Sequence, residues 1–187
     1  NKTKPDRDPL AHIDANSLFQ GGVELAKQGD YIRAEQYYAA AMDKGYPARK
    51  ATAALIEVCV LSSRVPAALQ YAEPYLEQHP RAWSLRLVVA SLYYSVNRVS
   101  EAESELLRVL EDAPKEPSAA HYLLALIYRN TDGATSEMKK HARRYLDLDP
   151  KGKHVEEAID MLRVTSTSPV LPETRVNESQ VSSNTAP

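Results

Sequence analysis

One interval recurs through the middle of this sequence and restricts what the chain can fold into. Gly29-Asp30-Tyr31-Ile32-Arg33-Ala34-Glu35 is matched by Ser63-Arg64-Val65-Pro66-Ala67-Ala68-Leu69, and then by Asn97-Arg98-Val99-Ser100-Glu101-Ala102-Glu103. The aligned alanines Ala34, Ala68 and Ala102 stand 34 residues apart. Prolines punctuate the same register at Pro47, Pro80, Pro114 and Pro150, the last interval being 36 residues, so a fourth unit carries two extra residues. A fixed period of this length marks an array of similar supersecondary units stacked along one axis.

Within each unit the apolar residues recur twice at helical spacing, on either side of a short polar turn. The spacing predicts helix pairs over 15–28 and 31–44, 48–62 and 65–78, 81–96 and 99–112, and 117–130 and 135–148, followed by a ninth helix over 153–164. Gly29-Asp30 and Asp132-Gly133 suit helix-to-helix turns, and the closing prolines stop the second helix of each pair. Pro66 falls in a first turn, where a missing N–H costs nothing. Pro74 falls inside a helix, where a kink is expected. In the ninth helix Val155, Ala158, Ile159 and Leu162 share one face, leaving Glu156, Glu157, Asp160 and Arg163 outward.

The residues at corresponding places resemble the tetratricopeptide repeat family over roughly four fifths of the chain. That family favours a large residue, a Leu-Gly-like pair and an aromatic in the first helix. Here those places hold Leu18, Gly21-Gly22 and Leu25; Leu55-Ile56 and Cys59; Val89-Ala90 and Tyr93; and Leu124-Ala125 and Tyr128. Ala34, Tyr38 and Ala41 fit its second helix in the first unit, whereas the fourth unit has Met138 where a small residue belongs. The resemblance implies an all-α, right-handed α-solenoid of about four helix pairs with a C-terminal capping helix. The corresponding organisation is an N-terminal arm over 1–14 and a repeat domain over 15–164. Its units run about 15–47, 48–80, 81–114 and 115–150, with the cap at 153–164, and a Ser/Thr/Pro-rich tail follows over 165–187.

Stacking is physically required, because no single helix pair can bury its apolar stripe. Small residues at Ala34, Ala68 and Ala102 let two helices approach closely. Tyr38 and Tyr93 are expected in the core. The two arms lack the apolar density to form cores of their own, and each contains one Asn-x-Ser/Thr triplet, at Asn1 and Asn177. The chain opens on Asn1 rather than Met, as a processed or trimmed chain would, and a signal peptide is not legible in it.

Composition removes several function classes. With 23 Lys+Arg against 25 Asp+Glu the net charge is −2, which gives no overall electrostatic case for nucleic acid or an anionic membrane. No apolar run is long enough to span a bilayer. Only 6 glycines are present, and no phosphate-cradling or dinucleotide loop is among them. His12, His79, His121, His141 and His154 form no paired ligand motif, so neither metal nor other cofactor is expected, and His79 and His141 are expected at the surface. Cys59, the one cysteine, is expected to be a buried, inert thiol. No nucleophile–base arrangement is legible, so the chain is expected not to be an enzyme.

The resemblance also assigns a working surface, the concave face lined by the first helix of each pair. Carried residue by residue onto this sequence, it comprises Phe19, Val23 and Lys27; Lys50, Glu57, Val60 and Leu61; Leu87, Ser91 and Tyr94; and Tyr122, Leu126 and Arg129. Some relatives hold a peptide's C-terminal carboxylate here with a Lys/Asn/Arg clamp. Phe19 and Val23 stand where the first Lys and Asn of that clamp would be, so chaperone-tail capture is not expected, and the face is expected to be apolar and aromatic. One basic cluster, Lys139, Lys140, Arg143 and Arg144, is a candidate docking patch, and an acidic run spans Glu101 to Asp112. The resulting expectation is a non-catalytic interaction scaffold that binds protein partners through groove and tails within a larger, envelope-associated assembly. An exported location after N-terminal processing is favoured over a cytoplasmic one. The alternative is a cytoplasmic chaperone that shields apolar secretion substrates.

Overall fold

The computed structural model describes residue 10 and residues 12–164. The far N-terminal arm, the 165–187 tail and both Asn-x-Ser/Thr triplets lie outside the described residues. Within them the chain runs α1 (Ala15–Lys27), α2 (Tyr31–Asp43), α3 (Ala48–Leu61), α4 (Val65–Gln78), α5 (Trp83–Ser95), α6 (Val99–Asp112), α7 (Ser118–Arg129), α8 (Thr135–Leu148) and α9 (Val155–Arg163), with no strand among the described residues. Each helix packs on the next, and α9 returns to touch α7 as well as α8. The fold is an all-α solenoid.

The 34-residue period is written into the turns. Gly29, Ser63 and Asn97 occupy one register position and all take positive φ, at 78°, 59° and 62°. In each case the next residue's N–H reaches back five residues: Asp30 to Leu25 O, Arg64 to Cys59 O and Arg98 to Tyr93 O, at 2.9, 2.7 and 2.8 Å. This is the left-handed helix stop in which the last carbonyls are satisfied by the following turn. Glycine accepts that conformation without strain in the first unit, and Asn and Ser stand in for it later. Of the two extra residues of the fourth unit, one lies in the connection before α7, which puts α7 35 positions from α5, and the other in the turn between Arg129 and Thr135, with Gly133 at φ 76°.

Close approach within pairs explains the small residues. Ala34, Ala68 and Ala102 are completely buried, and Met138 fills the equivalent place in α8 at 2% exposure. In α1 a Cβ added to Gly22 would lie 2.6 Å from the Tyr38 ring, so glycine is what allows that tyrosine into the core. Cys59, Tyr38 and Tyr93 are buried as the pattern requires. Three apolar clusters follow one another along the stack, with Tyr71 joining the first to the second and Tyr94 and Tyr128 joining the second to the third. α4 continues from Val65 to Gln78 through Pro74, and Pro66 sits in its first turn.

The cap differs from expectation in two places. Met161, not Ile159, joins Ala158 on the buried face, and Ile159 is exposed. Glu157 is turned inward, accepting from Tyr122 Oη and pairing with Arg129, because α9 lies against α7 with that edge. At the other end Lys44 Nζ donates to the carbonyls of Leu10 and Ile13 at 2.8 and 2.6 Å, holding the chain that enters α1 against the end of α2.

Candidate functional site

The expected groove residues divide into those that support the stack and those that face solvent. Phe19 stacks on Tyr46 with ring centroids 4.1 Å apart and leans on Tyr38, while Val23 packs into the α1–α3 cluster. Leu87 and Tyr94 pack against the central core, and Ser91 Oγ donates to the Val88 carbonyl within α5. In the fourth unit the groove expectation needs correction. Leu126 is only 9% exposed, Tyr122 stacks on His154 at 3.8 Å, and Arg129 pairs with Glu157 at 2.6 Å. α9 and its lead-in cover Tyr122 and Leu126, while Arg129 stays exposed beside Glu157. Lys27 pairs with Glu24, and Lys50 and Glu57 are exposed. The open apolar positions are Val60 and Leu61 on α3, at 41% and 52%, joined by Val88 on α5 at 41%.

The basic cluster of α8 is partly neutralised. Arg144 Nε donates to Glu116 at 2.9 Å and Lys140 pairs with Glu137, whereas Lys139 and Arg143 have no ionic partner among the described residues. His141, expected at the surface, is buried, and its Nδ1 lies 2.8 Å from Nδ1 of buried His121. His121 Nε2 in turn bonds Glu116. Burial lowers the pKa of His121 despite Glu116, and burial together with His121 brings His141 down to about 4. Arg144 and then His121 hold Glu116 at about 2. The first part of the acidic run of α6 is also engaged, Glu101 pairing with Arg98, Glu103 accepting from Tyr128 Oη and Glu105 pairing with buried Arg86, while Glu111 and Asp112 are exposed.

A register position ties these groups together. Leu18, Thr52, Arg86 and His121 occupy the same place in successive first helices and all are buried. Across the pair from Arg86 stands Glu105, and across from His121 stands His141, so an ion pair in the third unit is replaced by an imidazole pair in the fourth. Sequence reading missed both. The signal was available: Arg86 shares the i, i+3, i+4, i+7 stripe with Val89, Ala90 and Tyr93. A second set of polar links crosses between units, Tyr71 Oη to Glu35 and Tyr93 Oη to Glu73 among them. Burial and the Glu73 bond push the Tyr93 phenol up to about 12.

One open cleft lies where the second pair meets the third. It measures about 830 Å³ and is walled by Arg49 and Ala53 of α3, Tyr75 and Gln78 of α4, the 79–82 connection, and Trp83, Leu85 and Val88 of α5. His79 is exposed there and leans on Tyr75. Cys59 is fully buried and burial pushes its thiol pKa up. Among the described residues no group of three or more His, Cys, Asp or Glu is placed to hold a metal ion, and no helix is long and apolar enough to cross a membrane. What this cleft offers chemically is apolar and aromatic contact beside Arg49 and Arg81, with no carboxylate among its walls.

Comparison with known proteins gives a consistent fold. The family model described as tetratricopeptide repeat matches residues 60–127. No curated protein matches the sequence. Among solved structures, a tetratricopeptide repeat protein from Parabacteroides merdae ATCC 43184 is similar with a TM-score of 0.71 and 19% identity, over 80% of this chain and 59% of that one. This chain therefore spans less than two thirds of that protein. YrrB, described as a TPR protein with an unusual peptide-binding site, gives 0.66 and 17% identity over 80% of this chain and 75% of its own. Pseudomonas aeruginosa pilF gives 0.62 and 17% over 79% and 66%. At these identities the likeness is one of fold.

Proposed function

We propose that this chain, a tetratricopeptide repeat protein, is a non-catalytic scaffold that binds segments of protein partners on the first-helix face of its second and third pairs. The observation that carries the reading is the trio of solvent-facing apolar side chains Val60, Leu61 and Val88. Exposed branched side chains on two successive first helices, one of them lining an open cleft, give a partner's apolar side chains a place to bury. The peptide-binding site named for YrrB supports the same use of the fold. Service within a larger, envelope-associated assembly is the setting carried from the family resemblance, and a cytoplasmic chaperone is its rival. A precursor with a signal peptide favours the first and an ordinary Met start the second.

The test is retention of partners from an extract of the native host on the immobilised chain. V60S/L61S, which alters exposed positions, is expected to lose them while circular dichroism and thermal unfolding stay unchanged. Undiminished retention by a folded V60S/L61S chain overturns the reading.

A further inference from the structure

Among the described residues the arginines are mostly matched, whereas several lysines stand free in solvent. Every arginine in the described residues except Arg49, Arg81 and Arg143 meets a carboxylate. Arg49 and Arg81 both line the cleft between the second and third pairs, and no Asp or Glu is among the residues that line it. The same walls carry Tyr75, Val88 and Trp83, the one tryptophan of the chain. Unpaired guanidiniums beside aromatic and aliphatic surface, in a chain of net charge −2, form a local recognition site rather than a general anion-binding surface.

We propose that this cleft docks an extended acidic segment of a protein partner, its carboxylates on Arg49 and Arg81 and an apolar or aromatic side chain against Trp83 and Val88. The assignment rests on the scaffold reading above and names the chemistry of the partner. Guanidinium–carboxylate bonds are charge-assisted and can be bidentate, which sets register, while burial against tryptophan supplies apolar contact. The volume suits a few side chains of a peptide rather than a helix laid in whole. A second copy of this chain is a poorer occupant, since Glu101, Glu103 and Glu105 of its acidic run are engaged and the exposed Glu111 and Asp112 sit on a helix end rather than on an extended segment.

Trp83 emission reports occupancy directly. Titration of the full chain with a short acetylated peptide of alternating Glu and Asp around one central Phe is expected to give a saturable change, weakened by added salt. The same peptide with Lys in place of its acids gives none. R49A/R81A changes exposed side chains only, and circular dichroism verifies its folding; its affinity for the acidic peptide falls by about tenfold or more. The proposal is overturned by the absence of a saturable change, by undiminished affinity in folded R49A/R81A, or by equal affinity for an oligo-dT strand of the same charge. A concentration-dependent emission change without peptide, tracking dimer in light scattering, also overturns it in favour of a second copy. A chain that ignores the acidic peptide yet retains partners through Val60 and Leu61 removes this assignment and leaves the scaffold reading standing. Peptide binding together with indifference to V60S/L61S does the reverse.

Discussion

Nδ1 of His121 and Nδ1 of His141 face each other at 2.8 Å between α7 and α8, both rings buried. Two nitrogens at that distance share one proton. With Glu116 accepting from His121 Nε2, the hydrogen-bond network assigns the shared proton to His141 Nδ1, and both rings are neutral. The surrounding charges are Glu116 and Arg144 at one edge and Lys140 and Glu137 of α8, with the Tyr128 ring 5.6 Å from His141.

Acid should therefore loosen the fourth repeat. Both folded-state pKa values lie below the ordinary 6.5, that of His141 at about 4, so the unfolded chain takes up protons first. The contribution is full above pH 6.5 and is lost as pH falls toward 4, a loss on the order of 3 kcal/mol. Glu116, lowered from 4.5 to about 2, holds its contribution down to about pH 4.5, the acid end of that window, and loses it as pH falls on toward 2. Thermal unfolding across the window measures the slope. H141Q, whose amide can still donate to His121, should flatten it, and an unchanged slope would show that the pair does not titrate there.

Arg86 and Glu105 form the equivalent link one unit earlier, with side chains 7% and 16% exposed. Arg86 also donates to the Pro80 carbonyl, while its Nε has no partner among the described residues. E105A leaves a buried guanidinium uncompensated and should cost about 3–5 kcal/mol in chemical denaturation. R86M/E105L replaces both charges with apolar volume and should recover most of that loss. Equal destabilisation by the single and double variants would mean that packing, not charge, dominates the site.

G22A pushes a methyl group into the Tyr38 ring, where a Cβ would sit 2.6 Å away. Because Tyr38 is buried against Phe19 and the α3 core, it has little room to retreat, and the expected cost is about 1–3 kcal/mol of unfolding free energy. A neutral G22A would show that the ring can move.

Substitutions on the first-helix face should separate by packing rather than by hydrophobicity. L87S or Y94S removes core contacts and should lower stability by roughly 2 kcal/mol, whereas V60S and L61S should each stay within about 0.5 kcal/mol of the parent in denaturant titration.

Cys59 has no exposed surface, and Arg64 Nη2 lies 3.8 Å from its sulfur. Its thiol should react with a disulfide reagent only through opening of the α3–α4 pair, so labelling should accelerate with denaturant in step with loss of helicity. Rapid labelling of the native chain would contradict the burial.

The period and the apolar spacing gave the helices of the described residues, their bounds to within a residue or two, and the small and aromatic core positions such as Ala34, Ala68, Ala102, Tyr38 and Tyr93. Those properties follow from local rules: apolar spacing, proline stops, and small residues where helices meet. The exposure of the working face was much less legible. Val60 and Tyr94 hold the same register position, yet one is open and the other packs toward α7, because what covers a first helix is decided by its neighbours in the stack. Tyr122 and Leu126 belong to the same face by sequence but lie beneath α9, whose rotation depends on burying Met161. Pairings such as His121 with His141, or the pooling of Arg49 with Arg81 beside Trp83, join residues twenty or more positions apart. Periodicity states which stripe of a helix is buried. Only the packed structure decides which polar groups on those stripes meet, because that depends on the angle and rise between helices rather than on the spacing within one.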